Sequence, residues 1–163
     1  MRALTVQQPW AWSIVHGGKD VENRTQAWSY RGPLAIHAGA RLSERGCMAV
    51  PDLLDATQPE KVAEYALADL AYGAIIGVVE LVDVHVSHAP DPTSSAPQQP
   101  ACCDSPWAET SYDEHGGRTR RDVVHLVLED PRPLAEPVPC RGMLGLWTPP
   151  LDVLAQIAAE VTP

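Results

Sequence analysis

The sequence predicts an α+β domain built on a small sheet or barrel. Three observations carry this: the strand-like segments are short, long helical periodicities are few, and the two kinds follow in mixed order. With 163 residues, 45% of them hydrophobic and 20% charged, the chain suits one domain over 1–163 with a core of its own. Phenylalanine is absent, so five tryptophans and four tyrosines supply the aromatic bulk.

Each element has a local reason. "RALTV", Arg2 to Val6, reads as a strand. Pro9 then suits a first helical position, where its missing N–H costs nothing. In "PWAWSIVHGG" Trp10, Ala11, Ile14 and Val15 share one helical stripe, and Gly17-Gly18 supply a left-handed stop. After the Gly32-Pro33 turn, Leu34 to Ala38 alternates as a strand with His37 on the face opposite Leu34, Ile36 and Ala38. Ser43 to Ala49 and roughly Pro59 to Leu70 read as helices. "AIIGVVELVDVHV" is the strongest strand, rich in β-branched residues. "DVVHLVLED", Asp122 to Asp130, and "GMLGLW" are further strands, and a helix of about 151–161 closes the chain.

Between them the composition changes. From about 88 to 120 the chain turns to Pro, Ser, Gln and Asp, as in "APDPTSSAPQQPACCDSP". That reads as a loop insertion, dispensable for folding because it offers few apolar groups to a core.

The net charge of −9 speaks against a generally basic, phosphate-coated surface. Its distribution is uneven. Residues 1–45 hold six cations against three carboxylates, a local excess of +3, which leaves −12 for the remainder. The N-terminus "MRALTVQQPW" lacks the apolar core of a signal peptide, and "AIIGVVELVDV" is too short and too acidic to span a bilayer. A cytoplasmic protein with reduced Cys47, Cys102, Cys103 and Cys140 is expected, without a membrane partner.

The stretch "GGKDVENRT" concentrates the chemistry. In an extended segment Glu22 and Arg24 point to one face, and Lys19 can swing beside them. Such spacing also suits a plain surface ion pair. Glu80 sits, by period two, among Ile76, Val78, Val82, Val84 and Val86. A carboxylate there needs a cation from Lys19, Arg24 or Arg31, unless that face is open to water. His37 fits a hydrogen-bonded structural histidine or a base. Trp12 and His16, opposite the apolar stripe, suit stacking on a ring or covering a barrel end. Cys102-Cys103 with His88, Asp104 and His115 matches no zinc spacing such as C-x2-C, so no metal and no cofactor are expected. The NTPase, dinucleotide, zincin and hydrolase signatures are unmatched.

"LTVQQPWAWSIVHGGKDVENRT", "YRGPLAIHAG", "IIGVVELVDVH" and "GMLGLW" together resemble the successive blocks of an ASCH domain (activating signal cointegrator homology), in the PUA-like superfamily. The resemblance covers most of 3–87 and 122–148 and leaves out the Pro-rich loop and the last helix. It implies a small mixed β-barrel flanked by helices, with a cleft between the barrel and the first helix. It further implies that Lys19, Glu22, Arg24, Arg31 and His37 line that cleft with Trp10 in support, facing RNA or a nucleotide-like ligand. One branch of the superfamily is similar around the lysine and hydrolyses acylated cytidine, using a threonine three residues after the lysine. Here that position is Glu22, and Thr25 is out of register.

The expected function is therefore an RNA-binding or modified-nucleotide-binding module with a cationic cleft formed by Trp10, Lys19, Glu22, Arg24, Arg31, His37 and Glu80. The alternatives are a hydrolase (ribonuclease or amidohydrolase) at the same cleft, with Lys19 and Glu22 as catalytic groups, and a protein interaction domain.

Overall fold

The computed structural model describes residues 1–67, 70–88, 90, 95, 97–109 and 122–161. In chain order the elements are β1 (Arg2–Gln8), α1 (Trp10–His16), β2 (Val21–Arg24), β3 (Gly32–Leu42), α2 (Glu44–Thr57), α3 (Glu60–Leu67), β4 (Ala74–Val86), β5 (Val124–Pro139), β6 (Leu146–Trp147) and α4 (Leu151–Val161). The strands form one curled sheet in the order β2-β5-β4-β3-β1-β6. Among the described residues only β1 and β3 run parallel, with α1 and β2 in the crossover between them. This half-barrel with helices packed on it is the α+β, PUA-like architecture.

The predicted alternation in β3 divides the core. Leu34, Ile36 and Ala38 join Leu4, Val6 and Leu126 and are covered by Ala11, Ile14 and Val15 of α1. Ala35, on the other face, joins Ala3, Ile75, Val78 and Trp147 beneath Val153 and Ile157 of α4. Helix α1 is buried on nearly every side, and Trp12 belongs to a third cluster with Val21, Val50, Leu54 and Trp107. The tryptophan expected to face outward is instead buried, stacked on His16 and against a tilted Tyr65 ring.

Several elements outrun their sequence signals. Helix α2 begins at the Ser43 cap, whose hydroxyl accepts from the Gly46 N–H at 3.1 Å. It then passes through Pro51, anchored on either side by buried Val50 and Leu54. Strand β5 runs on through Pro131, Pro133 and Pro139, well beyond Asp130. Prolines are tolerated there because β2 pairs only with Val124–Val127, so the later residues need no ladder bond on that side.

The Glu80 expectation is overturned. Register shifts at Ile75/Gly77, Val78/Glu80 and Leu81/Asp83 break the period-two pattern of β4. Val78 is buried whereas Val82 and Val86 are exposed, and Glu80 is half-exposed opposite Glu129. Among the described residues it has no ion pair with Lys19, Arg24 or Arg31. A carboxylate that keeps its water needs none.

The 88–120 segment also departs from its composition. Its described part, 97–109, carries Trp107, which is 4% exposed and packed in the third cluster. His115 lies outside the described residues.

Candidate functional site

The site is built at the end of α1. At the turn there, Gly18 adopts φ +67°, a left-handed conformation that glycine takes without strain. The turn brings the Lys19 N–H onto the Ser13 carbonyl at 2.9 Å and sends the chain into β2. Glu22 and Arg24 then alternate onto one face, as the extended spacing requires.

Glu22 is the hub. Its Oε2 lies 3.1 Å from Lys19 Nζ and its Oε1 lies 3.0 Å from Arg24 Nη2. Lys19 Nζ also donates to the Val21 carbonyl, and Arg24 Nη2 donates to the Thr5 carbonyl at 2.9 Å. Lys19 is only 3% exposed and Glu22 only 7%. Charges so deeply buried are tolerable only when mutually paired and hydrogen-bonded, and these are. The ammonium also lies 5.8 Å from the Trp10 ring and 5.9 Å from the Trp107 ring, within cation–π range of both. The two indoles stand nearly perpendicular, 6.5 Å apart.

The far wall comes from α2 and the 97–109 segment. Arg45 Nη2 pairs with Glu109 at 2.5 Å, and its guanidinium lies 5.7 Å from the Trp10 ring. Asn23 latches the segment to β2, donating to the Trp107 carbonyl at 2.8 Å and accepting from the Glu109 N–H at 3.0 Å. The open cleft measures about 720 Å³, and an adjoining recess of about 570 Å³ shares Gln7, Trp10, Glu22, Asn23 and Arg24. Arg41 and the exposed Met143 and Leu144 line the outer recess. Cations and acids balance in the main cleft: Lys19, Arg24 and Arg45 face Glu22, Asp52 and Glu109. The local +3 of the sequence does not become a cationic trough. Arg24 Nε is buried without a partner among the described residues.

Of the residues singled out in the sequence, the cleft unites Trp10, Lys19, Glu22 and Arg24. Arg31 is elsewhere, exposed and bonded to Asp83 and to the carbonyls of Trp28, Tyr30 and Val84. His37 is buried on the α4 side, where Nε2–H donates to the Cys140 carbonyl at 3.0 Å and the ring meets Trp147 edge-on. A Cβ on Gly142 would fall 2.6 Å from that ring, so the histidine fills a fitted structural slot. Glu80 is outside the cleft.

Sequence reasoning missed Asn23, Arg45, Trp107 and Glu109. A tryptophan amid a Pro/Ser/Gln tract was the available signal, because such bulk seldom stays in water.

Beside this wall lie Cys103 and His125. Burial, then the neighbouring Cys102, pushes the Cys103 thiol up to about 11. Burial lowers the His125 pKa, against a hydrogen bond to Glu109 that raises it.

The fold has known counterparts. No curated protein sequence matches the chain. The crystal structure of ASCH from Zymomonas mobilis is similar with a TM-score of 0.54 at 13% identity, covering 97% of this chain and 93% of that one. Crystal structures of two mutant forms of that protein each give 0.51, at 14% and 13% identity, again over 97% of this chain and 96% and 94% of theirs. At such identity the likeness shows the fold. The ASCH domain model matches residues 4–129, and on that match over most of its length the chain belongs to the ASCH domain family.

Proposed function

We propose that the protein is a binding module for single-stranded RNA or a modified nucleotide, held in the cleft between α1, β2, α2 and the 97–109 segment. The observation that carries this reading is the half-buried Trp10 indole, backed edge-on by the buried Trp107, in a cleft rimmed by Arg24 and Arg45. A base stacks on an aromatic face whatever its identity, and guanidinium groups meet phosphate or base edges. Glu22, whose oxygens keep further lone pairs beside the two cations, supplies an acceptor for an exocyclic amine. The balanced charge favours one or a few nucleotides over a long duplex, because phosphate affinity scales with the number of contacts. A cytoplasmic location, where its unpaired cysteines stay reduced, is part of the same reading. No helix among the described residues is long and apolar enough to cross a membrane.

The test is a fluorescence-anisotropy titration with short labelled single-stranded RNA at several salt concentrations. About three phosphate contacts give a log–log salt slope near −2, at roughly −0.7 per contact. Arg24→Gln and Arg45→Gln should each weaken binding about tenfold, while Arg132→Gln on β5 should change it little. Equal losses at all three positions, or no binding by the wild type, overturn the proposal. The buried Lys19–Glu22 pair could also handle a proton. Turnover of RNA or an acylated nucleoside that disappears in Lys19→Ala would move the assignment to a hydrolase. A protein partner captured without any nucleotide binding would move it to an interaction domain.

A further inference from the structure

Behind the cleft wall the fold assembles four ligand-bearing side chains that lie far apart in sequence. His85 of β4 and His125 of β5 are register partners in the antiparallel ladder, with ring centroids 5.4 Å apart. Cys102 and Cys103 of the 97–109 segment lie over them. Cys102 Sγ is 3.4 Å from His125 Nδ1, and Cys103 Sγ is 3.3 Å from His85 Nε2. All four donor atoms fall within 4.8 Å of one another.

The outer nitrogens of both rings are already committed. His85 Nδ1 lies 2.7 Å from Asp83 Oδ2, and His125 Nε2 lies 2.8 Å from the Glu109 carbonyl. Both partners only accept, so each ring carries its N–H there. The inner nitrogens, His85 Nε2 and His125 Nδ1, are thereby left with lone pairs aimed at the sulfurs. Carboxylate and carbonyl partners fix the tautomer of metal-binding histidines in this way. The His88 N–H donates to Cys102 Sγ at 3.2 Å, which supports charge on that sulfur.

We propose that His85, Cys102, Cys103 and His125 bind one zinc ion in a closed tetrahedral site. Zinc distances of about 2.3 Å to sulfur and about 2.0–2.1 Å to nitrogen place neighbouring ligand atoms roughly 3.3–3.8 Å apart. Two of the donor pairs already have that spacing. Two thiolates and two imidazoles are the soft and borderline donors that zinc takes in structural centres, and no position is left open for substrate. Each ion bound displaces two thiol protons. The spacing rule that argued against a metal reads ligands along the chain. Here the β4–β5 ladder supplies one pair and the inserted segment the other. The ion ties residues 102 and 103 to the sheet and so holds Trp107 and Glu109 at the cleft. The site stands on its own ligands, whatever the cleft binds.

The test uses the full chain, stripped with a chelator and titrated with Co2+ and then Zn2+. One Co2+ per chain should give the intense visible bands of a tetrahedral ion with a thiolate charge-transfer band, and one equivalent of Zn2+ should erase them. Asp83→Ala should weaken zinc binding about 10–100-fold through loss of the outer hydrogen bond. In the wild type, zinc should protect Cys102 and Cys103 from alkylation while Cys47 and Cys140 react as before, a readout independent of any variant's folding. Weak octahedral cobalt bands, or alkylation of Cys102 and Cys103 unchanged by zinc, would overturn the proposal.

Discussion

Lys19 and Glu22 hold their charges in the interior because neither stands alone. The ammonium has a carboxylate, a carbonyl and two indole faces, and the carboxylate has a second cation in Arg24. Removing one member of such a buried pair leaves the other charge uncompensated, at a cost of about 3–5 kcal/mol. Glu22→Gln should therefore lower the urea midpoint by an amount corresponding to about 3 kcal/mol. Glu80→Gln, half-exposed and without an ion pair among the described residues, should stay within about 0.5 kcal/mol. Equal effects at the two positions would remove Glu22 from its place as the hub. The contrast also marks what the sequence could convey about single residues. Glu22 and Arg24 were legible because four extended residues have no room for irregularity, and period two put them together. Glu80 was misread because irregular register between β4 and β5 breaks the period-two alternation of its valine neighbours, and such irregularity leaves no composition signal.

Among the elements, β1 and β3 were readable because local pattern and final burial agree, whereas α1 and β4 were located by their apolar runs although their burial departs from the pattern. The disagreements share one physical cause, tertiary packing overriding a local signal. Pro51 marks a helix end in isolation, yet α2 continues because Val50 and Leu54 are buried on both sides of it. The prolines of β5 mark a strand end, yet the strand continues where no neighbour needs their N–H. The 97–109 segment looks like linker by composition, yet three attachments hold it: Trp107 in the core, the Asn23 latch and the Arg45–Glu109 pair. Trp107→Ala should consequently cost about 3–5 kcal/mol, the range for a buried tryptophan. A chemical-denaturation curve measures it. Values near zero would restore the segment to the status of a dispensable loop.

Across the whole fold, the apolar support and the polar cleft are kept apart. The face under α4 holds His37, Trp147 and a conventional apolar core, while the polar residues of "GGKDVENRT" open onto the cleft beside α1. The family match ends at residue 129, so β6, α4 and most of β5 complete the sheet and its cover beyond it. An acidic body, at −9 overall, disfavours long nucleic acid, and the proposed binding rests on a small, internally balanced cleft. In the proposed reading a base meets the half-buried Trp10 ring, which Trp107 backs edge-on. Their indole N–H signals in a 15N-labelled sample report that contact directly during titration with a short single-stranded RNA. Progressive shifts of Trp10 and Trp107 are expected, with Trp147, buried under α4, unmoved. An unchanged pair of cleft indoles at RNA concentrations that saturate binding, or shifts confined to Trp147, would rule the cleft out as the place where the base is held.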